Sequence, residues 1–222
     1  MIESLTIRRK LAILSVVALI FFVLITLDVF FEGALVQFDK VVNHWSLSWH
    51  TPLLDRVFYG ITQLGNLMAM LFYTVALTLL MLWKKYREGL LFYWSGMIGA
   101  SLLFSVIKEL FMRTRPSSCI GGVHQYGYSF PSGHATMSMT FALLLFFLFY
   151  QKVSGAYRVI LLFFCLLFPL LVSFSRVYLG VHYFSDVLGG MMLGIFWVTL
   201  MAWVFNWWGN NGKFGLHCEA MH

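Results

Sequence analysis

Apolar residues fall along this chain in six long runs, near residues 11–31, 58–83, 90–110, 134–150, 159–177 and 187–208, with polar residues collected between them. The runs lack the alternation of a helix with one wet face, so each is apolar all round. A bilayer core takes about 20 apolar residues per helix, and backbone groups in lipid must pair internally. The pattern predicts an all-α, polytopic membrane protein with six transmembrane helices, a single domain over residues 1–222. The first run follows Arg8-Arg9-Lys10, as a secretory signal would. It is longer than the apolar region of such a signal, and no small-residue cleavage site follows it, so it reads as a retained span.

Between the first two runs, Leu35, Phe38, Val41, Val42 and Trp45 recur at helical spacing with Asp39, Lys40, Asn43 and His44 among them. This predicts a short interfacial helix after the first span. The alternative is a loop held by a few buried anchors. Tyr126 suits an outer aromatic belt, and Trp207 and Trp208 an inner one.

Composition agrees with the runs. Of 222 residues, 60% are hydrophobic and 11% charged, and mean hydropathy is +0.82, whereas soluble domains carry roughly 25% charged residues. The net charge of +6 does not point to nucleic acid, because of where the charges fall. Arg8, Arg9, Lys10, Lys84, Lys85, Arg87, Lys152, Arg158 and Lys213 share one side of a six-span layout, which places both termini in the cytoplasm. Lys40, Arg56, Lys108, Arg113, Arg115 and Arg176 lie on the disfavoured side, and an anionic ligand accounts for them. Cys119, Cys165 and Cys218 fall in different compartments, so no disulfide is expected.

Three segments at the edges of the runs carry candidate chemistry. Lys108-x6-Arg115-Pro116 ends the third span. It supplies a point charge and a planar fork suited to phosphate oxygens, two helical turns apart if the helix continues that far. Taken alone, it also fits a pair of snorkelling anchors. Pro131-Ser132-Gly133-His134 opens the fourth span. A turn entering a helix presents unpaired N–H groups to an anion, with Ser132 adding a hydroxyl and His134 placed beside the bound group. An ordinary capped helix fits as well. Ser175-Arg176-x5-His182-x3-Asp186 closes the fifth span and opens the sixth. His182 and Asp186 fall on one face of a helix beginning after Gly180, so the carboxylate can fix the imidazole tautomer and leave the other nitrogen as a nucleophile. Mutual capping at a helix start is the other reading. All three segments fall on the outer side. The three cations would repel a divalent ion, and no Cys/His cluster has zinc spacing, so no metal is expected. The Gly189-Gly190 to Gly194 spacing predicts close helix packing.

The ordered set Lys108-x6-Arg115-Pro116, Pro131-Ser132-Gly133-His134 and Ser175-Arg176-x5-His182-x3-Asp186 resembles the type 2 phosphatidic acid phosphatase family of integral membrane lipid phosphatases, with every motif position matched. The resemblance implies metal-independent hydrolysis of a lipid phosphate or diphosphate through a phosphohistidine, without a cofactor. It implies His182 as nucleophile, Asp186 as its orienter and His134 as general acid. Lys108, Arg115, Ser132, the Gly133 amide and Arg176 would hold the phosphoryl oxygens. Candidate substrates are undecaprenyl diphosphate, phosphatidylglycerophosphate and phosphatidic acid, with lipid A phosphatase or lipid phosphotransferase activity as alternatives. The expected setting is the inner (plasma) membrane, with the site facing the periplasm or cell exterior. No nucleic acid and no obligate protein partner are expected.

Overall fold

Among the described residues the chain forms eight helices and no strand. The computed structural model describes residues 2–117, 127–150 and 152–210. Cys119, Tyr126, Lys213, Cys218 and the side chains of Trp207 and Trp208 lie outside the described residues.

Helix α1 (Ile2–Phe30) is followed by α2 (Ala34–Leu47) and α3 (Pro52–Gln63). The apolar run expected as one second span is broken. Asn66 caps a new helix by accepting from the Ala69 amide at 2.8 Å, which gives α4 (Leu67–Trp83) a start of its own at 43° to α3. An N-cap of this kind satisfies one of the orphan amides at a helix start. Then come α5 (Arg87–Phe111), α6 (Gly133–Phe149), α7 (Gly155–Tyr178) and α8 (Phe184–Asn210).

The expected six spans are therefore met only in part. Four helices (α1, α5, α7, α8) are long and apolar enough to cross a bilayer, and the bent α3–α4 pair makes a fifth. Helix α6 has 17 residues, about 25 Å of rise against a hydrocarbon core of about 30 Å.

Helix α8 packs against α1, α5 and α6, while α7 lies against α6 and α3. The glycine reading holds for α6 and α8. A Cβ on Gly190 would stand 2.6 Å from the Ser132 carbonyl oxygen, and one on Gly194 would stand 3.0 Å from that of Thr136. The main core gathers Phe92, Tyr93, Leu144, Val172 and Val198. Many outward residues of these helices, Phe72, Leu102 and Leu110 among them, are large, apolar and exposed, which suits a lipid solvent.

Helix α2 turns Val36 and Val42 toward the core beside a carboxylate. Phe38, Val41 and Trp45 are exposed, while Asp39 is buried against α8. Two inter-helix connections meet at the end of the bundle away from Asp39, where Lys152 Nζ stacks 3.3 Å above the Tyr86 ring.

Candidate active site

Three chain segments reach one cavity of about 250 Å³ beside α5 and α6, lined at its polar end by Lys108, Arg115, Gly133, His134 and His182. The rest of its lining is mostly apolar, with Leu67, Met70, Phe104 and Met137. Small-molecule pockets run from about 300 Å³ upward, so this space suits a headgroup better than a whole lipid.

Lys108 sits in the last turn of α5, which stops because Met112 adopts a left-handed backbone, φ 46°. The helix does not continue to Arg115, so the condition for a two-turn spacing is not met. Arg115 is fastened instead by its own donors. Its Nε donates to Gly127 O at 2.9 Å, Nη2 to Tyr128 O at 3.1 Å, and Nη1 to Val181 O at 2.8 Å. Nη1 also stands 3.1 Å from His182 Nε2.

His182 lies just ahead of α8, not within it. Asp186 occupies the first turn and reaches back. Its Oδ2 accepts from the Tyr183 amide at 2.9 Å and lies 3.3 Å from His182 Nδ1. The two readings of this pair are both realised: the carboxylate caps the helix start and contacts the imidazole. An arginine only donates, so the contact with Arg115 makes His182 Nε2 the acceptor and places the ring proton on Nδ1, toward Asp186. Burial holds the His182 pKa well below its ordinary 6.5, and the positive charges of Arg176, Arg115 and Lys108 act in the same direction. The ring is therefore neutral near pH 7, and His182 lines the cavity with its Nε2 lone pair engaged by Arg115, a contact that an incoming phosphoryl oxygen can take over.

The Pro131-Ser132-Gly133-His134 turn is tied to α8, because the Ser132 amide donates to Asp186 O at 3.0 Å. Ser132 Oγ is buried and has no hydrogen-bond partner among the described residues. Gly133 and His134 are the first residues of α6, where helix amides have no intrahelical acceptor. His134 also packs beside Gly65, where a Cβ would lie 3.4 Å from its Cδ2. Arg176 is buried beneath this group, with Nη1 donating to Thr62 Oγ1 of α3 at 2.7 Å. All eight residues named from the sequence thus fall in or against one region. Among the described residues no group of three or more His, Cys, Asp or Glu side chains converges as a metal site would.

Three residues of this region were not singled out from sequence as a site. Arg113, expected to meet an anionic ligand, meets two carboxylates instead. Nη1 donates to Asp186 Oδ1 at 2.6 Å and Nη2 to Asp39 Oδ2 at 2.8 Å. Ser185 joins them, its amide donating to Asp39 Oδ1 at 2.9 Å. The available signal was a basic residue on the disfavoured side and a carboxylate inside an otherwise apolar helical stripe. Neither names its partner.

Comparison with known proteins places this geometry. Residues 89–210 match the PAP2 superfamily. The chain is 31% identical over 190 residues to phosphatidylglycerophosphatase B of Bacillus subtilis, covering 81% of this chain and 89% of that protein. It is 32% identical over 129 residues to undecaprenyl-diphosphatase of Sulfolobus acidocaldarius, covering 56% of this chain and 58% of that one. Among solved structures it resembles the crystal structure of a transmembrane PAP2 type phosphatidylglycerolphosphate phosphatase from Bacillus subtilis, with TM-score 0.76, 28% identity, and coverage of 85% of this chain and 94% of that one.

Proposed function

The chain belongs to the PAP2 superfamily, and from that premise we propose that it removes a phosphate or diphosphate from a membrane lipid through a phosphohistidine on His182. It is a multi-pass membrane protein and a lipid phosphatase. The observation that carries the mechanism is the chain of contacts from Asp186 through His182 to Arg115, opening on a cavity that also holds Lys108 and His134.

Phosphoryl transfer needs positioning and stabilisation of charge on the equatorial oxygens. Arg115 and Lys108 at the cavity and Arg176 beneath it supply positive charge, with the Ser132 hydroxyl and the Gly133 amide as further donors. His182 Nε2 attacks phosphorus, a P–N bond forms, and the P–O bond to the lipid breaks. His134 gives a proton to the departing oxygen. Water then attacks the phosphohistidine, giving its proton to His134, and the P–N bond breaks to release phosphate. Three cations beside the anion make a divalent metal unnecessary and electrostatically disfavoured.

The cavity's size suits the phosphorylated headgroup, with the tails remaining in the bilayer beside the apolar lining. Phosphatidylglycerophosphate heads the proposed substrates, since the relative of that activity is matched along most of its length. Undecaprenyl diphosphate and phosphatidic acid follow. The α3–α4 pair and α6 are read as crossings, which gives six in all. Both termini then lie in the cytoplasm and the site faces the other side.

Phosphate release by the purified protein from a panel of glycerolipid and polyprenyl phosphates, with EDTA present, tests this reading. Release that survives EDTA and falls at least about a thousandfold in His182→Ala is expected. Release abolished by EDTA, or retained by His182→Ala, contradicts it.

A further inference from the structure

A second carboxylate stands behind the first. Asp39 of α2 is buried, 1% exposed, and its hydrogen-bond partners among the described residues, Arg113 and Ser185, do not line the cavity. It accepts from Arg113 Nη2 at 2.8 Å, from the Ser185 amide at 2.9 Å and from Ser185 Oγ at 2.5 Å. Arg113 in turn places Nη1 on Asp186 Oδ1 at 2.6 Å and on Ser185 Oγ at 2.7 Å. Its guanidinium lies 4.3 Å from the Tyr183 ring. One planar fork is thus shared between two carboxylates and stacked on a third side chain, a geometry that a lysine cannot reproduce.

Resting on the phosphatase reading above, we propose that Asp39 is a positioning residue for the His182 nucleophile, acting through Arg113 and Ser185 on the carboxylate of Asp186. Asp186 is buried and has its two oxygens divided between tasks. Oδ1 meets Arg113, while Oδ2 meets His182 and the Tyr183 amide. Ser129 also hydrogen-bonds this carboxylate, and the Arg113 contact is the one that ties it to α2. Asp39 holds Arg113 in that place and pins the first turn of α8 by its Ser185 amide. Without Asp39, Arg113 loses one of its two carboxylate anchors, and its hold on Asp186 Oδ1 loosens. A small misplacement at a reacting group costs about a hundredfold in rate. On this account α2 is a brace for the active site as well as a surface helix, which explains why its Asp39 is buried while Phe38, Val41 and Trp45 face outward.

The test uses the full-length protein in detergent, with Asp39→Asn, Arg113→Lys and Asp186→Asn made singly and in pairs. Asp39→Asn and Arg113→Lys are each expected to lower kcat on the order of tenfold to a hundredfold, with KM changed by less than about threefold. In the Asp186→Asn background either change should cost less than about threefold more, because the residue through which both act is already impaired. A kcat for Asp39→Asn within about twofold of wild type overturns the proposal. So does a loss that multiplies in full with that of Asp186→Asn, which marks a general structural role. If Asp39→Asn does not fold, the Arg113→Lys and Asp186→Asn cycle decides by the same criteria. The phosphatase reading fails separately, by absent phosphate release from the wild-type protein or by an active His182→Ala.

Discussion

At His182 burial and three neighbouring cations act in one direction, and that direction suits a nucleophile. A group whose pKa is lowered keeps its lone pair until the pH falls through the lowered value. The acid limb of the kcat/KM profile should therefore lie below 6.5, the ordinary value for histidine. A limb above 6.5 that disappears in His182→Ala would show a histidine raised by its aspartate. The motif spacing made Asp186 legible as the partner of His182. It did not make legible the other demands on that carboxylate, since Arg113 and Asp39 come from distant segments and their spacing to Asp186 carries no period.

Among the elements, the contact of α6 with α8 decides whether the site assembles. Gly190 stands under the Ser132 carbonyl, and the Ser132 amide is bonded to the carbonyl of Asp186. A methyl group at 190 must displace backbone, not a flexible side-chain end. Gly190→Ala should destabilise the protein by about 1–3 kcal/mol, as overpacking does, and lower activity because the turn bearing His134 moves with Ser132. Thermal unfolding in detergent and phosphate release check the two effects. Unchanged stability together with full activity would show that the helices part without harm. The apolar runs announced most of these helices, because lipid forces long apolar segments to be helical. They did not announce the break between α3 and α4. Gln63, Leu64, Gly65 and Asn66 interrupt an apolar run only briefly, and it is the Asn66 side chain capping Ala69 that divides it. The run ending near 110 did announce where α5 stops, at Phe111, but not the left-handed turn that ends it, which falls on Met112, a residue type with no preference for it.

The molecule as a whole brings its candidate site to one end of the bundle and its basic connections to the other. Lys152 over Tyr86 joins two of those connections, while Arg113, Asp39 and Asp186 join three segments at the opposite end. With α3–α4 and α6 read as crossings, single cysteines placed at 84–86 or 152–154 should react with an impermeant thiol reagent only from the cytoplasmic side. Those placed at 48–51 should react only from the other. Labelling of both sets from one side would discard the six-crossing arrangement. The proposed mechanism uses His182 and then water in two successive displacements at phosphorus, with His134 beside them in the cavity lining. The most direct measurement is the stereochemical course of hydrolysis of an isotopically chiral lipid phosphomonoester. Two in-line attacks, first by His182 and then by water, predict overall retention of configuration at phosphorus. Overall inversion would mean that water attacks the lipid directly and that His182 never carries the phosphoryl group.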